Sequence, residues 1–176
     1  MLRLQVANTH QLSRTEFGAA HALIDAVFGD PNEEGWEHCL GGLHAMAWDA
    51  DELVAHAALV LRRLVYRGRA LRTGYVEGVA VRRDRRRQGL GGAVMAELEG
   101  VIRGAYELGA LSASDDGLPF YAARGWQLWR GKSYAMTPEG VIRTPDEDGG
   151  IFVLPVGESY DLTEDLICDY RLGDLW

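Results

Sequence analysis

Extended apolar runs, several of them alternating with polar residues, predict strands in eight parts of the chain. The strands are expected at 2–7, 43–48, 53–66, 70–81, 110–113, 126–130, around Val141 and at 151–156. Arg67-Gly68-Arg69 separates the two longest runs and predicts a tight reversal between them. The segment from 162 to 176 shows no pattern that predicts an element.

Between these strands, apolar residues spaced three and four positions apart predict helices. Ser13 begins the first helix, Glu16 follows at the capping-box position, and the helix runs to about Phe28. Further helices are expected at 37–40, at about 90–108 with Gly109 as its cap, and at 118–124 before Gly125. Helices interleaved with antiparallel hairpins indicate an α/β fold, in a single domain over residues 1–176.

Composition limits the class of protein. The 176 residues carry a formal net charge of −8, and the chain lacks the run of about 18 apolar residues that spans a membrane. The first residues lack the long apolar stretch of a secretory signal. Cys39 and Cys168 lie far apart in the sequence and do not make a disulfide framework. We therefore expect a soluble, cytoplasmic protein with reduced thiols.

The segment from Val76 to Gly91, VEGVAVRRDRRRQGLG, joins an extended run, a basic turn and two glycines to the start of a helix. Five of the 18 basic residues lie between 82 and 87. Free backbone N–H groups and the positive end of the helix dipole predict an anion site there. The segment has neither the Gly-Lys-Ser/Thr of a Walker loop nor the third glycine of a Rossmann fingerprint. A solvated arginine-rich turn is the plain alternative, and the negative net charge disfavours a nucleic-acid surface.

The pattern Arg86-x-x-Gly89-x-Gly91 resembles the pyrophosphate loop of the GNAT acetyltransferases, which bind acetyl-coenzyme A (acetyl-CoA). Six segments strongly resemble the aminoglycoside 2′-N-acetyltransferases of that superfamily: WEHCLGGLHAMAW (36–48), VYRGRALRTGYVEGVAV (65–81), GAYELGALSAS (104–114), YAARGW (121–126), RTPDEDG (143–149) and CDYRLGDLW (168–176). The resemblance implies the GNAT acyl-CoA N-acyltransferase fold, a mixed and mostly antiparallel sheet flanked by helices. It also implies acetyl transfer from acetyl-CoA to an aminoglycoside antibiotic, which confers resistance, in a homodimer.

Residues expected to hold acetyl-CoA lie in the last predicted long strand and in the basic loop. A bulge at Gly78 would turn the N–H groups of Val79 and Val81 outward, toward the thioester carbonyl and the pantetheine amides. The side chains alone indicate only a buried strand. The resemblance implies this cofactor-binding set: Val79, Ala80, Val81, Arg86, Arg87, Gln88, Gly89, Leu90, Gly91 and Gly92.

Two side chains are candidates for catalysis. Glu77 lies in an otherwise apolar strand, where it is either a general base for the amine proton or a rim glutamate paired with an arginine. Tyr121 sits on the predicted helix at 118–124, where a lone aromatic beside Phe120 is commonly a core residue. The resemblance implies that Glu77 is the base and that Tyr121 is the acid that meets the departing thiolate.

Aminoglycosides are polycationic, so a binding site lined with carboxylates is expected. The resemblance implies substrate contacts at Asp30, Glu77, Gly78, Ser112, Glu147, Asp174 and Trp176, the last through its terminal carboxylate. Each acid could instead be a solvated surface residue, which is the usual fate of Asp and Glu. Related sequences carry aspartate where this chain has Glu147, so the longer side chain changes the reach of that contact.

Other features favour direct acetyl transfer without a metal. The five histidines (10, 21, 38, 44 and 56) show no metal-ligand spacing, and His44 and His56 alternate with apolar residues as core or rim positions do. No cysteine neighbours a convincing base, so a covalent acyl-enzyme is not expected. The alternatives are an acetyltransferase for a polyamine, a peptide or another amino sugar, and a non-catalytic acyl-CoA sensor.

Overall fold

The protein is represented by a computed structural model that describes residues 1–29, 31 and 33–176. The chain divides into two compact units. One unit contains 1–60 and 76–101, and the other contains 61–75 and 102–176. The chain therefore passes from one unit to the other at 60–61, 75–76 and 101–102, each time within a strand or a helix.

The first unit begins with β1 and ends within a long helix. Its elements are β1 (Leu2–Asn8), α1 (Arg14–Phe28), α2 (Glu33–Glu37), β2 (Leu43–Asp49) and the larger parts of β3 (Glu52–Tyr66) and α3 (Leu90–Ala105), with the end of β4 (Arg69–Val81). β1 pairs antiparallel with β2, and β2 pairs antiparallel with β3. β3 and β4 are hydrogen-bonded neighbours. In the described ranges, no helix is both long and apolar enough to cross a membrane.

The capping box predicted at the start of α1 is confirmed. The Ser13 hydroxyl accepts the Glu16 N–H at 3.2 Å, and the Glu16 carboxylate accepts the Ser13 N–H at 2.8 Å. These two bonds satisfy donors that the first helical turn leaves without partners. The helix then buries its apolar side, including Leu23 and Ile24, in a core shared with Trp36 and Met46.

The second unit consists of short strands and one short helix, together with the end of β3, the start of β4 and the end of α3. Its elements are β5 (Leu108–Ser112), α4 (Leu118–Ala123), β6 (Gln127–Leu128), β7 (Ser133–Thr137), β8 (Gly140–Arg143), β9 (Ile151–Pro155) and β10 (Leu166–Cys168). β5 pairs parallel with β4 and antiparallel with β9, and β9 pairs antiparallel with β6. β10 pairs antiparallel with β3 and parallel with β7, which pairs antiparallel with β8. The mixed, mostly antiparallel sheet with flanking helices confirms the predicted fold class.

The predicted reversal between β3 and β4 is a two-residue turn. Arg67 and Gly68 both have positive φ, at +48° and +76°. Two such residues match the twist of the flanking strands, which is why turns of this kind close hairpins. The prediction at this position is confirmed.

The predicted end of the long helix is wrong. α3 ends at Ala105, and Gly109, expected as the cap, lies inside β5. A Cβ at Gly109 would lie 3.1 Å from both Ile102 Cγ2 and Leu154 Cβ. The glycine is therefore needed for close packing of a strand, and sequence alone does not separate that need from capping.

The short second helix is also displaced from its predicted position at 37–40. α2 spans Glu33–Glu37, and Trp36 is buried within it. The earlier start carries Trp36 into the core and places Glu33 and Glu34 in the first turn, where the helix dipole favours acids. Burial of the large indole explains the shift.

The carboxyl-terminal half contains more strands than predicted. The expected strand at 126–130 is reduced to β6, because Trp129 and Arg130 donate their N–H groups outside the ladder, to the carbonyls of Ile151 and Leu162. β7 was not predicted, and β10 lies in the segment without a pattern.

Candidate active site

The basic loop makes a tight turn directly before α3. Arg83–Arg85 form one 3₁₀ turn, Arg86 is extended, and Arg87 and Gly89 have φ of +63° and +80°. Glycine adopts the second conformation readily, whereas an arginine with positive φ is uncommon and such residues concentrate at binding sites. The backbone is thus curved as the predicted anion site requires.

Backbone N–H groups at the start of α3 lie at the end of this loop. The first hydrogen bond of α3 runs from the Ala93 N–H to the Gly89 carbonyl at 2.9 Å. The N–H groups of Leu90, Gly91 and Gly92 precede that bond, so the helix itself provides them with no acceptor. The first turn carries no acidic side chain. This end of α3 therefore offers donors and a positive dipole to an anion.

The loop arginines fall into two groups. Arg82 binds Asp84 at 2.7 Å and Glu52 at 2.8 Å, and Arg85 binds Asp49 at 2.7 Å. In contrast, Arg86 and Arg87 are exposed, and among the described residues no carboxylate lies within 4.0 Å of either guanidinium. The first pair fixes the loop, while the second pair keeps its charge available for a ligand.

Strand β4 is irregular next to Glu77, as the predicted bulge requires. Gly78 has φ of +54°, and its carbonyl accepts a hydrogen bond from His56 Nδ1 at 2.9 Å. A Cβ at this position would lie 2.7 Å from Cys39 Sγ, so no larger residue fits without displacing its neighbours. Glu77 and Val79, on either side, are partly exposed. Glycine is required here both by conformation and by space.

Tyr121, on α4, is buried in an aromatic cluster of the second unit. Its ring centroid lies 5.1 Å from that of Phe120, 6.0 Å from Phe152 and 6.3 Å from Trp126. Burial raises the pKa of its hydroxyl to about 12. Tyr121 is therefore both a core residue and a hydroxyl that stays protonated at physiological pH.

An acidic cleft of about 320 Å³ lies in the second unit. Its lining residues are Arg143, Thr144, Pro145, Asp146, Glu147, Gly173, Asp174, Leu175 and Trp176. The cleft brings together three residues predicted to bind substrate, Glu147, Asp174 and Trp176. A fourth joins them, because the Ser112 hydroxyl donates to Glu147 Oε2 at 2.7 Å.

Glu147 is the carboxylate of this cleft whose charge is disfavoured by its surroundings. Burial raises the pKa of its carboxyl, and the nearby carboxylates of Asp174 and Asp146 raise it further. The hydrogen bond from Ser112 and the charge of Arg171 act in the opposite direction. A cation in the cleft would relieve the unfavourable interaction among these acids.

The segment that carries Asp174 and Trp176 is held by several hydrogen bonds. Trp176 is 3% exposed, and its indole N–H donates to Thr144 Oγ1 at 2.9 Å. Arg171 donates to the backbone oxygen of Trp176. The buried Arg62 donates to the Leu175 carbonyl at 2.7 Å. No local sequence pattern marks Arg62, Arg171 or Thr144 as supporting residues.

The predicted site residues fall into separate sets. Ser112, Tyr121, Glu147, Asp174 and Trp176 belong to the second unit. The remaining described ones belong to the first unit: Glu77, Gly78, Val79, Ala80, Val81, Arg86, Arg87, Gln88, Gly89, Leu90, Gly91 and Gly92. Asp30 lies outside the described residues.

The buried thiols and histidines have structural environments. Cys39 and Cys168 are buried, and neither is in a disulfide bond. His44 and His56, predicted as core or rim residues, are fully buried in the first unit and therefore belong to the core. Within the described ranges, no group of three or more His, Cys, Asp and Glu side chains is arranged to hold a metal ion.

Comparison with known proteins identifies the family. Residues 8–129 match the family described as Acetyltransferase (GNAT) domain. Over 166 residues, which cover 92% of this chain and 85% of the relative, the chain is 52% identical to the aminoglycoside 2′-N-acetyltransferase of Mycolicibacterium fortuitum. The chain belongs to the aminoglycoside 2′-N-acetyltransferase family of the GNAT superfamily. This GNAT protein is an enzyme that transfers acetyl groups.

Solved structures support the fold of this acetyltransferase. Escherichia coli ElaA matches with a TM-score of 0.63 and 20% identity, over 87% of this chain and 97% of that one. A GNAT family acetyltransferase from Brucella melitensis in complex with acetyl-CoA has a TM-score of 0.61 and 14% identity, over 97% of both chains. A probable N-acyltransferase from Enterococcus faecalis has a TM-score of 0.62 and 17% identity, over 75% of this chain and only 33% of that longer one.

Proposed function

We propose that this acetyltransferase moves the acetyl group of acetyl-CoA to the 2′-amino group of aminoglycoside antibiotics by direct attack of the amine. The observation that carries the substrate class is the acidic cleft of the second unit. Asp146, Glu147 and Asp174 share this cleft, and the pKa of Glu147 is raised in part by the other two. A polycationic sugar supplies the positive charge that such a cluster lacks.

The basic loop fits the pyrophosphate of coenzyme A. The N–H groups of Leu90, Gly91 and Gly92 and the guanidinium groups of Arg86 and Arg87 would hold it, as donors aimed at phosphate oxygens. Acetyl-CoA supplies the acetyl group as a thioester. The backbone of Val79, Ala80 and Val81 would align the pantetheine arm as an added strand, because strand edges pair with extended amides.

Glu77 is proposed as the general base. Its position next to Gly78 places it at the irregular point of β4, and it is only partly buried. There it accepts the proton of the attacking amine, directly or through water. Neighbouring ammonium groups of the same sugar favour one neutral amine, which reduces the work left to the base.

Tyr121 is proposed to act on the leaving thiolate as a hydrogen-bond donor. Its pKa of about 12 lies above the value of about 8.5 for an ordinary thiol. A full proton transfer to the sulfur is therefore uphill, whereas a hydrogen bond from the protonated hydroxyl is not. We assign Tyr121 stabilisation of the developing negative charge.

The substrate cleft is proposed to be completed by Ser112 and Trp176. Ser112 fixes one oxygen of Glu147 at 2.7 Å, which leaves the other oxygen to meet an ammonium group. Trp176 forms a buried wall of the cleft. Asp30 is proposed as a further substrate contact on the resemblance alone. The homodimer and the cytoplasmic location are proposed on the same ground. Light scattering tests the homodimer.

Measuring the release of the coenzyme A thiol from acetyl-CoA distinguishes this function from its alternatives. Purified protein would be given acetyl-CoA with one amine at a time: several aminoglycosides, linear polyamines and peptide amino termini. The proposal predicts thiol release chiefly with aminoglycosides. Faster release with a polyamine would assign the acidic cleft to a different cation, and acetyl-CoA binding without release to any amine would indicate a sensor.

A further inference from the structure

A line of buried hydrogen bonds runs through the first unit to the irregular point of β4. Thr9 Oγ1 lies 2.8 Å from His44 Nε2, His44 Nδ1 lies 2.9 Å from His56 Nε2, and His56 Nδ1 lies 2.9 Å from the Gly78 carbonyl oxygen. At its far end, the Gly41 N–H donates to the Thr9 hydroxyl at 2.9 Å. Both imidazoles are fully buried. The proposed reaction gives these two histidines no role.

The chemistry of the end groups fixes the direction of every bond in this line. A carbonyl oxygen only accepts, so His56 Nδ1 carries a hydrogen and its Nε2 is the acceptor in a neutral ring. His44 Nδ1 must then donate to His56, which makes His44 Nε2 the acceptor for the Thr9 hydroxyl. The Gly42 carbonyl oxygen also lies 3.2 Å from Thr9 Oγ1. Because that carbonyl already accepts the Thr9 N–H at 3.0 Å, the hydroxyl hydrogen can go to the nearer His44 nitrogen. Both rings are therefore Nδ1–H tautomers, and each ring nitrogen has a partner.

The reverse direction is excluded by charge. If His44 donated through Nε2 to Thr9, its Nδ1 would accept, and His56 would have to donate through both nitrogens and carry a positive charge. Burial lowers the pKa of His44 and of His56 to about 4, so both are neutral near pH 7. One arrangement satisfies all of the polar atoms.

The last bond of the line acts on one peptide group. In a trans peptide the carbonyl of one residue and the N–H of the next point in opposite directions. His56 holds the Gly78 carbonyl toward its ring, so the Val79 N–H is held pointing away from it. Cys39 Sγ, Ile24 Cδ1 and His56 Cε1 surround the position where a Cβ of Gly78 would lie. The Gly78–Val79 peptide is thus fixed by a hydrogen bond and by packing.

We propose that His56, supported by His44 and Thr9, is a positioning residue for acetyl transfer, because it fixes the orientation of the Val79 N–H and the adjacent Glu77. This rests on the proposed roles of Glu77 and Val79. Because both rings are fully buried, we assign them no direct contact with substrate. Their function is to keep a donor and a base in one arrangement on a strand that would otherwise be regular.

Substitutions at position 56 test this role. Asparagine places an amide N–H close to where Nδ1 lies, so His56→Asn keeps the bond to Gly78, whereas His56→Leu removes it. We expect His56→Leu to lower kcat by about tenfold or more, as loss of a preorganised donor does, and His56→Asn to restore kcat to within about threefold of the wild type. KM for acetyl-CoA should change little in either, since the basic loop holds the cofactor.

A matched core variant separates positioning from stability. Leu23→Ala creates a cavity in the buried cluster that contains Cys39 and Ile24, and it removes no hydrogen bond of the line. We expect it to lower the melting temperature at least as much as His56→Leu while leaving kcat near the wild-type value. A wild-type kcat in His56→Leu, or a loss that His56→Asn fails to restore, would overturn the proposal.

A measurement on the unmodified protein covers the case in which His56→Leu does not fold. Nitrogen-15 NMR of the imidazole rings reports which nitrogen carries the hydrogen, and the proposal requires Nδ1–H in both His44 and His56. An Nε2–H tautomer in either ring would contradict it. The roles of Glu77 and Val79 are tested separately. A wild-type rate in Glu77→Gln would overturn the proposed general base. A reduced rate in Glu77→Gln with a wild-type rate in His56→Leu would overturn only the positioning role of His56.

Discussion

In the proposed reaction Glu77 accepts a proton and Tyr121 donates a hydrogen bond, and their surroundings suit these different tasks. Glu77 is partly exposed at a distorted point of a strand, where a carboxylate can reach a substrate amine. Tyr121 is enclosed by aromatic rings, which keep its hydroxyl protonated. The environment of each side chain, rather than its type alone, determines whether it accepts or donates.

Replacing Glu77 with glutamine should slow the enzyme without displacing the cofactor. We expect Glu77→Gln to lower kcat/KM by more than about tenfold near neutral pH, because a positioned base contributes about 10²–10⁴ in rate. Steady-state kinetics measure this, with coenzyme A affinity as the control. A wild-type rate would remove Glu77 from the mechanism.

Tyr121→Phe should lower kcat with little change in KM for the aminoglycoside. The ring is retained, so the aromatic cluster stays packed while the hydroxyl is lost. Because the pKa of Tyr121 is about 12, the wild-type rate should show no alkaline loss from this residue at pH values well below that. Comparing the pH–rate profiles of the two proteins checks both points, and an unchanged kcat would leave Tyr121 with a packing role only.

At Glu147, binding of the drug should depend on pH. The pKa of its carboxyl is raised above the ordinary value, so it takes up a proton earlier than an exposed glutamate as the pH falls. The neutral form attracts an ammonium group less, and KM for the aminoglycoside should rise on the acidic side. Glu147→Gln should raise KM and weaken this dependence, with exposed Glu139→Gln as the control. Equal pH dependence in the two variants would contradict the assignment.

Among the elements, the segment after β10 receives three of its hydrogen bonds from one buried side chain of β3. Arg62, on β3, donates to the side chain of Asp169 at 2.8 Å, to the Asp169 carbonyl at 2.9 Å and to the Leu175 carbonyl at 2.7 Å. These bonds hold the stretch that carries Asp174 into the cleft. A buried guanidinium with such partners is costly to remove.

Arg62→Met should therefore release this stretch. We expect KM for the aminoglycoside to rise by about tenfold, since a cleft acid loses its position, while KM for acetyl-CoA changes less. The exposed Arg67, which pairs with Glu164 in the same unit, provides the control variant Arg67→Met. Equal increases in both KM values would mean that Arg62 supports only the fold.

Elements with local signals were predicted, and those that depend on distant partners were not. The capping box of α1 and the Arg67-Gly68 turn involve residues within a few positions of each other, so the sequence contains the whole cause. From the sequence, Gly109 is predicted as a helix cap. Its close packing against Ile102 and Leu154 is established only by the fold. Arg62 lies 113 positions from Leu175, and no local pattern joins them.

For the whole molecule, the buried histidines predict a characteristic loss of stability in acid. The pKa of His44 and His56 is about 4 in the folded protein and 6.5 in the reference state. Between these values the unfolded chain binds more protons, so the free energy of unfolding decreases as pH falls from about 6.5 to about 4. This contribution is fully present above pH 6.5 and is lost by about pH 4.

Urea unfolding at several pH values measures this loss. Replacing both rings, as in His44→Gln with His56→Asn, should flatten the curve in that interval, while the exposed His10→Gln should not. An unchanged slope in the double variant would show that other groups cause the acid sensitivity. The sequence predicted core or rim positions for both histidines, but their hydrogen bonds to each other and to Gly78 emerge only from the fold.

The acidic cleft and the family relationship lead to a claim about one amine of the substrate. Two aminoglycosides that differ only in having an amino or a hydroxyl group at the 2′ position would be incubated with acetyl-CoA, with NMR to locate any acetyl group. Thiol release with the 2′-amino compound alone, and an acetyl group on that nitrogen, is the predicted result. Equal release with both compounds, or acetylation at another nitrogen, would contradict the proposed function.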